Sequence, residues 1–262
     1  MDYLKEYISD LRMRMPTCFT LSYLLLFLFS CSSDTGKELN MEKKNPSIFR
    51  EDFTNTKIDE SVWQIGTWTE HGGQLGRERC FVKDGYLNMQ LINEDNTIKS
   101  SAIQTRSTFL YGKWEARLKI SSVSGVLNSF YTIDWRDGKG TRQEIDIEFL
   151  TYSFKGSSGE VHFAVHAAGR KSFETNPDIK LSFNPSSDFH VWGLEVTPEH
   201  LEWSVDGKSL LVYKYKEHDV KIDSPYMLKL NTRTQKNWIN GPSEEGVLST
   251  YLIDWIQFTP HE

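Results

Sequence analysis

The segment Glu144-Ile145-Asp146-Ile147-Glu148 alternates carboxylates with isoleucines. In a β-strand, successive side chains point to opposite faces, so this pattern predicts an acidic face and an apolar face. The apolar face can be buried in a core. The acidic face places like charges side by side, which costs stability unless protons are shared or a ligand binds there. The segment therefore indicates a functional strand.

The chemistry that needs such an acidic face is hydrolysis of a glycosidic bond with retention of configuration. That reaction uses an ionised carboxylate as nucleophile and a protonated carboxylic acid as proton donor, about 5 Å apart. Asp146, between the two glutamates, would separate their titrations by charge repulsion and hydrogen bonding. A flat strand separates Cα atoms four residues apart by about 13 Å, so the strand must curve, which predicts a concave sheet able to hold a polymer. A solvated strand face and a calcium site are the alternatives for the same residues.

Length and composition limit the possible functions. The chain has 262 residues, a net charge of -6 and 13% aromatic residues. Its length predicts one domain, with or without a tail. The acidic balance argues against nucleic acid or an anionic membrane surface as the main partner. The aromatic content is typical of an all-β core and equally of a cleft that stacks on sugar rings.

The first 46 residues predict export and anchoring rather than folded structure. Residues 1–30 resemble a lipoprotein-type signal peptide, because arginines precede an apolar run at 19–29 that is too short to span a bilayer. A small residue before Cys31 predicts lipidation of that cysteine, and the alternative is an ordinary secretory signal with an incidental cysteine. Residues 31–46 predict a flexible tether. The expected location is the bacterial cell envelope, with the membrane contacted only through the lipid anchor.

The elements that must position the acidic strand are also strands. Turn signals recur at short intervals, and no window shows sustained helical periodicity. Strands are predicted at 86–92, 112–120, 127–135, 144–150, 160–166, 189–197, 200–205, 209–215, 226–231 and 251–258. Asp206-Gly207 predicts a hairpin turn. The fold class is therefore all-β, an antiparallel β-sandwich or jelly roll formed by residues 47–262.

The segment Glu144–Leu150 resembles the catalytic signature of glycoside hydrolase family 16, in the regular-strand form seen in lichenases. Other stretches resemble the family in the same order: Tyr111–Arg117, Gly125–Phe130, Phe189–Glu195, Trp203–Gly207 and Tyr251–Trp255. The resemblance covers about residues 48–259. It implies a curved, concanavalin-like jelly roll and endo-acting hydrolysis of β-linked glucans or galactans with retention. Glu144 would be the nucleophile, Asp146 the assisting carboxylate and Glu148 the acid/base.

The resemblance also implies a set of cleft residues that would bind substrate: Asn128, Phe130, His166, Asn231 and Trp238. Asn128 and Phe130 would line the donor side, and Asn231 would contact the sugar at the cleavage point. His166 shares a strand face with His162, and a structural histidine is the alternative for either. Trp238, in a long loop, would stack on substrate.

Arg142 and Arg233 stand where lichenases have tryptophans. A guanidinium binds carboxylate and sulfate bidentately. The two arginines therefore predict a decorated or anionic glycan, such as a substituted galactan or a host O-glycan. The alternative is that either arginine pairs with the acidic strand or with Asp134 and Asp137.

The reaction requires no cofactor, but the resemblance implies a structural calcium ion at Asp254, with backbone carbonyls near Glu51 and Gly85. A strand-end hydrogen bond of Asp254 is the alternative.

Three functions remain in view: a glycosidase, a non-catalytic glycan-binding lipoprotein, and a transglycosylase. The complete carboxylate set favours the enzyme over the binder, because a binder has no reason to keep both glutamates with Asp146 between them. A retaining enzyme can also pass its glycosyl group to another sugar. The expected protein is a monomer whose partner is a β-linked polysaccharide or glycan.

Overall fold

The computed structural model describes residues 48–135 and 143–261. The predictions for the signal segment, Cys31, the tether and Arg142 therefore lie outside the described residues. None of the helices in these two ranges could span a lipid bilayer.

Strands dominate the described chain, and they confirm the predicted all-β class. The strands are β1 (Phe49–Glu51), β2 (Trp63–Ile65), β3 (Thr69–Glu70), β4 (Gly73–Leu75), β5 (Cys80–Lys83), β6 (Tyr86–Glu94), β7 (Thr97–Ser100), β8 (Ala102–Thr105), β9 (Gly112–Lys119), β10 (Leu127–Asp134), β11 (Gln143–Leu150), β12 (Gly159–Ala167), β13 (Phe173–Glu174), β14 (Ile179–Leu181), β15 (His190–Val196), β16 (His200–Val205), β17 (Lys208–Lys214), β18 (Met227–Arg233) and β19 (Ser249–Pro260). The helices in the described part are short 3₁₀ turns at Arg77–Arg79, Thr151–Ser153 and Tyr215–Glu217.

The strands form two sheets. The first has the order β17-β16-β15-β9-β19-β6-β7-β4-β3, with β1 beside β19 and β5 beside β6. The second has the order β13-β12-β11-β10-β18-β8-β2, with β14 beside β12. Strand β4 runs parallel to β7, whereas the strands around β11 are antiparallel to their neighbours. The acidic strand β11 thus lies inside the second sheet, between β10 and β12.

The core lies between the inner faces of the two sheets. Alternation along β9 buries Trp114, Ala116 and Leu118 completely, as expected for a strand with one face in a core. Trp192 and Trp203 are also fully buried, so neither tryptophan belongs to the cleft. The indole Nε1 of Trp203 in β16 donates a hydrogen bond of 3.2 Å to the backbone carbonyl of Asp146. This bond joins the first sheet directly to the acidic strand of the second.

Tight turns fix the strand registers. Asp206 and Gly207 both adopt positive φ, 49° and 73°, between β16 and β17. Two consecutive residues with positive φ define the type I′ hairpin that matches strand twist, and Asp-Gly is a favoured pair for it. The predicted hairpin at Asp206-Gly207 is confirmed.

Candidate active site

The acidic strand presents two distinct faces, as its residue pattern predicts. Ile145 and Ile147 are fully buried in the core between the sheets. On the other face, Glu144 lies opposite His166 of β12, and Glu148 lies opposite His162. Antiparallel pairing places such cross-strand side chains within contact of one another.

The three carboxylates line one cavity of about 340 Å³. Other lining residues are His162, His166, Glu174, Arg233 and Trp238. Asp146 is 5% exposed and Glu148 is 9% exposed, so the centre of the acidic face is largely withdrawn from water. The structure therefore brings Glu144, Asp146 and Glu148 together with Arg233, His166 and Trp238 from the predicted set.

Burial and mutual repulsion control the protonation of this face. Burial, followed by the charge of Asp146, raises the pKa of Glu144 to about 8. Burial, followed by the charge of Glu148, raises the pKa of Asp146 well above its ordinary value, although Arg233 opposes the rise. A side-chain hydrogen bond links Glu144 to Asp146. In the free protein, the Glu144–Asp146 pair therefore retains protons at neutral pH.

Arg233 pairs with the acidic strand. Its Nη2 donates to Glu148 Oε1 at 2.8 Å, and its Nη1 donates to Gln235 Oε1 at 2.7 Å. The guanidinium carbon lies 5.4 Å from the ring centroid of Trp238, within the range of a cation–π contact. The Arg233 side chain is only 14% exposed. For Arg233, the structure thus adopts the alternative in which the arginine neutralises the acidic strand.

Both histidines of β12 belong to the cavity. The Nε2 of His166 lies 3.4 Å from Asp146 Oδ2, and its Nδ1 lies 2.7 Å from Ser172 Oγ. His162 Nδ1 lies 2.7 Å from Asp178 Oδ1. The His162 ring meets the Trp238 ring edge-on, with a centroid distance of 5.2 Å. Sequence reasoning gave His162 no role, although its two-residue alternation with His166 placed it on the same face.

A buried ion pair lies beside the acidic face, and sequence reasoning missed it. Lys229 of β18 is 1% exposed, and its Nζ lies 2.8 Å and 2.6 Å from the two carboxylate oxygens of Glu70. The Trp135 ring centroid lies 4.6 Å from the same ammonium. Lys229 is two residues before the predicted Asn231, so its place on the same strand face was available from the sequence.

Asn231 lies on the acidic side of the second sheet but is only 3% exposed. Its Nδ2 donates to Glu70 Oε1 at 3.2 Å and to Tyr131 Oη at 3.4 Å. Glu70 therefore covers the amide that was expected to contact the sugar at the cleavage point.

Asn128 and Phe130 do not line the cleft, which corrects the sequence prediction. The register pairs Asn128 with Phe149 and Phe130 with Ile147, so both point into the core. Both side chains are completely buried, and Asn128 Oδ1 accepts a 2.9 Å hydrogen bond from the backbone N–H of Ser121. Ser129 and Tyr131 lie on the acidic side of the sheet instead, opposite Glu148 and Asp146. An offset of one residue moves a side chain to the opposite face of a sheet.

The predicted calcium residues have protein partners. The Asp254 carboxylate pairs with the Arg117 guanidinium, and the Glu51 carboxylate accepts hydrogen bonds from Phe53 N at 3.1 Å and Trp63 Nε1 at 3.3 Å. Gly85 lies in the turn between β5 and β6. The Asp254 carboxylate is matched to a cationic side chain, whereas the predicted backbone carbonyl ligands near Glu51 and Gly85 are untested. Calcium binding stays a prediction.

Comparison with known proteins identifies relatives of the chain. A family model described as "Glycosyl hydrolases family 16" matches residues 73–257, well over half of the chain. A β-glucanase of Acetivibrio thermocellus is 32% identical over 60% of this chain and 47% of its own length. A κ-carrageenase of Pseudoalteromonas carrageenovora is 32% identical over 64% of this chain and 45% of its own length. The chain thus spans about half the length of these two relatives.

A solved structure has the same fold. A lichenase derived from a mouse hindgut metagenome superposes with a TM-score of 0.68 at 24% identity, covering 82% of this chain and 100% of the lichenase chain. This likeness supports the predicted jelly roll.

Proposed function

Because the chain belongs to glycosyl hydrolases family 16, we propose that it is an endo-acting glycosidase that cleaves a β-linked glycan with retention of configuration. The observation that carries the proposal is the buried acidic face, on which Glu144, Asp146 and Glu148 share one cavity. Desolvated like charges are costly, and glycoside hydrolysis is a reaction that uses carboxylates with separated titrations.

In the proposed reaction, the Glu144 carboxylate attacks the anomeric carbon while Glu148 gives a proton to the departing glycosidic oxygen. Water then hydrolyses the glycosyl–Glu144 ester, and Glu148 takes up the proton of that water. Asp146 hydrogen-bonds Glu144, and the one proton that the two carboxyl groups share lies on Asp146 when the Glu144 carboxylate attacks. His166 lies opposite Glu144 in the strand register, and its electrostatic effect favours the ionised form of Glu144.

In the free protein, the protons are not on the residues that this reaction requires. The raised pKa values of Glu144 and Asp146 keep protons on that pair, whereas Glu148 is paired with the Arg233 guanidinium. Catalysis requires an ionised Glu144 and a protonated Glu148. Substrate binding must therefore loosen the contact between Arg233 and Glu148, and the released Glu148 takes up a proton from solvent before the first step.

We further propose that the substrate is a β-glucan or β-galactan carrying substituents. Two of the relatives are named as a β-glucanase and a κ-carrageenase. The residues that line the cavity are mostly charged or polar, with Trp238 available for stacking on a sugar ring. Arg233, which stands where lichenases have a tryptophan, supports a decorated polysaccharide or host O-glycan over an unsubstituted glucan.

The test is a product profile measured with wild type and Glu144→Gln side by side. The panel would contain mixed-linkage glucan, laminarin, agarose, κ-carrageenan, arabinogalactan and mucin O-glycans. We expect oligosaccharides from one polymer with the wild type and none with the variant. Equal binding of a glycan by both proteins, with no release of products from any of them, would replace the enzyme with the non-catalytic glycan-binding lipoprotein.

Transglycosylation is a second use of the same glycosyl–Glu144 ester, since another sugar can accept the glycosyl group in place of water. Adding labelled oligosaccharide acceptors to the reaction separates the two outcomes. Labelled products longer than the acceptor would identify a transglycosylase.

We also propose that Cys31 carries a lipid anchor that holds a monomeric protein at the bacterial cell envelope. The motif around Cys31 supports the proposal. Incorporation of labelled palmitate by the wild type but not by Cys31→Ala tests the anchor. Light scattering of a variant that lacks residues 1–31 tests the monomer.

A further inference from the structure

A second cavity of about 450 Å³ lies next to the first. Its lining includes His71, Arg233, Gln235 and Lys236. Arg233 and Gln235 line both cavities, so they form the wall between them. Arg233 and Gln235 therefore each contact both the cavity of the acidic face and the second cavity.

The two cavities differ in charge. The described residues of the first include four carboxylates, Glu144, Asp146, Glu148 and Glu174. Within the described part of the chain, the lining of the second includes Arg233 and Lys236 but no carboxylate. The imidazole of His71 adds a further hydrogen-bonding group. An anion would be repelled by the first cavity and attracted by the second.

The carboxylate beside His71 at the second cavity already has a cationic partner. Glu70 Oε1 lies 3.7 Å from His71 Nε2, but both oxygens of Glu70 bond the buried Lys229 ammonium. Glu70 therefore does not cancel the positive charge that Arg233 and Lys236 place around the second cavity.

The guanidinium of Arg233 has the hydrogen-bonding capacity to replace Glu148 with another anion. A guanidinium offers five N–H donors in a rigid fork, and only one of its present bonds goes to a charged acceptor, the 2.8 Å contact with Glu148. The bond to Gln235 and the contact with the Trp238 ring hold the side chain in the wall whichever partner it binds. A sulfate or carboxylate in the second cavity offers the same guanidinium two oxygens.

We propose that the second cavity binds an anionic substituent of the glycan, a sulfate ester or a carboxylate, and that its binding draws Arg233 away from Glu148. The inference rests on the proposed function and deepens it. A decorated glycan thereby releases Glu148 for its role as proton donor, whereas an undecorated glycan leaves Glu148 paired with Arg233. Binding of the substituent and release of Glu148 from Arg233 therefore occur together.

The binding test uses inorganic sulfate as the probe and does not depend on activity. Tryptophan fluorescence is titrated with sodium sulfate against sodium chloride at equal ionic strength, since Trp238 lies beside Arg233. We expect a saturable change in the wild type, affinity reduced about tenfold or more in Lys236→Ala, and no response in Arg233→Gln. Lys208→Ala, an exposed lysine on the first sheet, is the matched control and should behave as the wild type.

The coupling test uses the undecorated or chemically desulfated form of the glycan that the wild type cleaves. We expect added sulfate to increase kcat/KM of the wild type at constant ionic strength, because it frees Glu148, and to have no effect on Arg233→Gln. Sulfate binding that is absent from the wild type, or equal in wild type and Lys236→Ala, would overturn the anion site. Saturable sulfate binding by a protein that cleaves no glycan would remove the proposed function and leave the anion site standing.

Discussion

Arg233 Nη2 and Glu148 Oε1 lie 2.8 Å apart, which links β18 to β11 across the intervening strand β10. The contact holds the Glu148 carboxylate in position against the guanidinium. The same guanidinium lowers the pKa of Asp146, against the effects of burial and of Glu148. Arg233 therefore acts on two of the three carboxylates, Glu148 by contact and Asp146 through its charge.

Replacing Arg233 with glutamine should move the pH dependence of catalysis. Loss of the guanidinium removes the positive charge that opposes the raised pKa of Asp146, so the limbs of the kcat/KM profile should shift to higher pH. The measurement is a pH series on the identified glycan for wild type, Arg233→Gln and Lys208→Ala. A shift to lower pH, or one that Lys208→Ala shares, would contradict the assignment.

Glu144→Gln should stabilise the fold, and more so at alkaline pH. The pKa of Glu144 is about 8 in the folded protein and 4.5 without the fold. The wild type therefore loses stability as the pH rises from 4.5 to 8, by at most roughly 1.4 kcal/mol per pH unit, because the folded state binds the extra proton. Glutamine stays neutral and avoids that loss.

Urea unfolding of wild type and Glu144→Gln at pH 4.5, 6 and 8 measures the effect on Glu144. Glu115→Gln, an exposed-face carboxylate paired with Lys113 on the first sheet, is the control. A stability difference between wild type and Glu144→Gln that does not grow with pH would show that Glu144 titrates normally.

Azide should distinguish the roles of the two glutamates. Glu144→Ala and Glu148→Ala should each lose at least about 10²–10⁴-fold in kcat, the usual contribution of such groups. Azide attacking in place of the missing Glu144 should give a glycosyl azide of inverted configuration. Azide acting after Glu148→Ala has formed its covalent ester should give a retained one. NMR of the products decides, and the opposite pair of configurations would exchange the two roles.

Lys229 and Glu70 should stabilise the fold only when both side chains are present. Lys229→Met leaves a buried carboxylate without its cation, and Glu70→Gln does the reverse, so each should cost about 3–5 kcal/mol of unfolding free energy. The double variant should cost less than the sum of the two. Denaturant unfolding measures the cycle.

Lys99→Met breaks the exposed pair with Glu94 and provides the comparison, with an expected cost of about 1 kcal/mol or less. Additive costs for Lys229→Met and Glu70→Gln would show that the two residues act independently.

Sequence periodicity predicted the long strands well, because each has one face in the core. His200–Val205 matches its predicted range, and Leu127–Asp134 differs from its prediction by one residue. The two faces of β11 followed from the same alternation. The prediction for Asn128 and Phe130 came from the family resemblance and failed, and alternation within β10 could not correct it because every residue of that strand is buried.

Other features had no local signal. Strand β3 is two residues long, too short to show a periodic pattern, yet it positions Glu70 beside Lys229. Those residues are 159 positions apart in the chain. The contact between Arg233 and Glu148 likewise depends on the order of β18, β10 and β11 in the sheet, which single-strand patterns do not give. Sequence reasoning predicted the types of group at the site but not their partners.

The hydrogen bond from Trp203 to the Asp146 carbonyl has a consequence for how this protein can diversify. The floor of the cleft is fastened to the opposite sheet through a fully buried indole, so it cannot shift without disrupting the core. The exposed residues of the two rims at 69–75 and 234–248, such as His71 and Lys236, lie outside that core. Substitutions that alter sugar preference should therefore accumulate at the rims. The spacing of the three carboxylates should be retained in related proteins that act on different glycans.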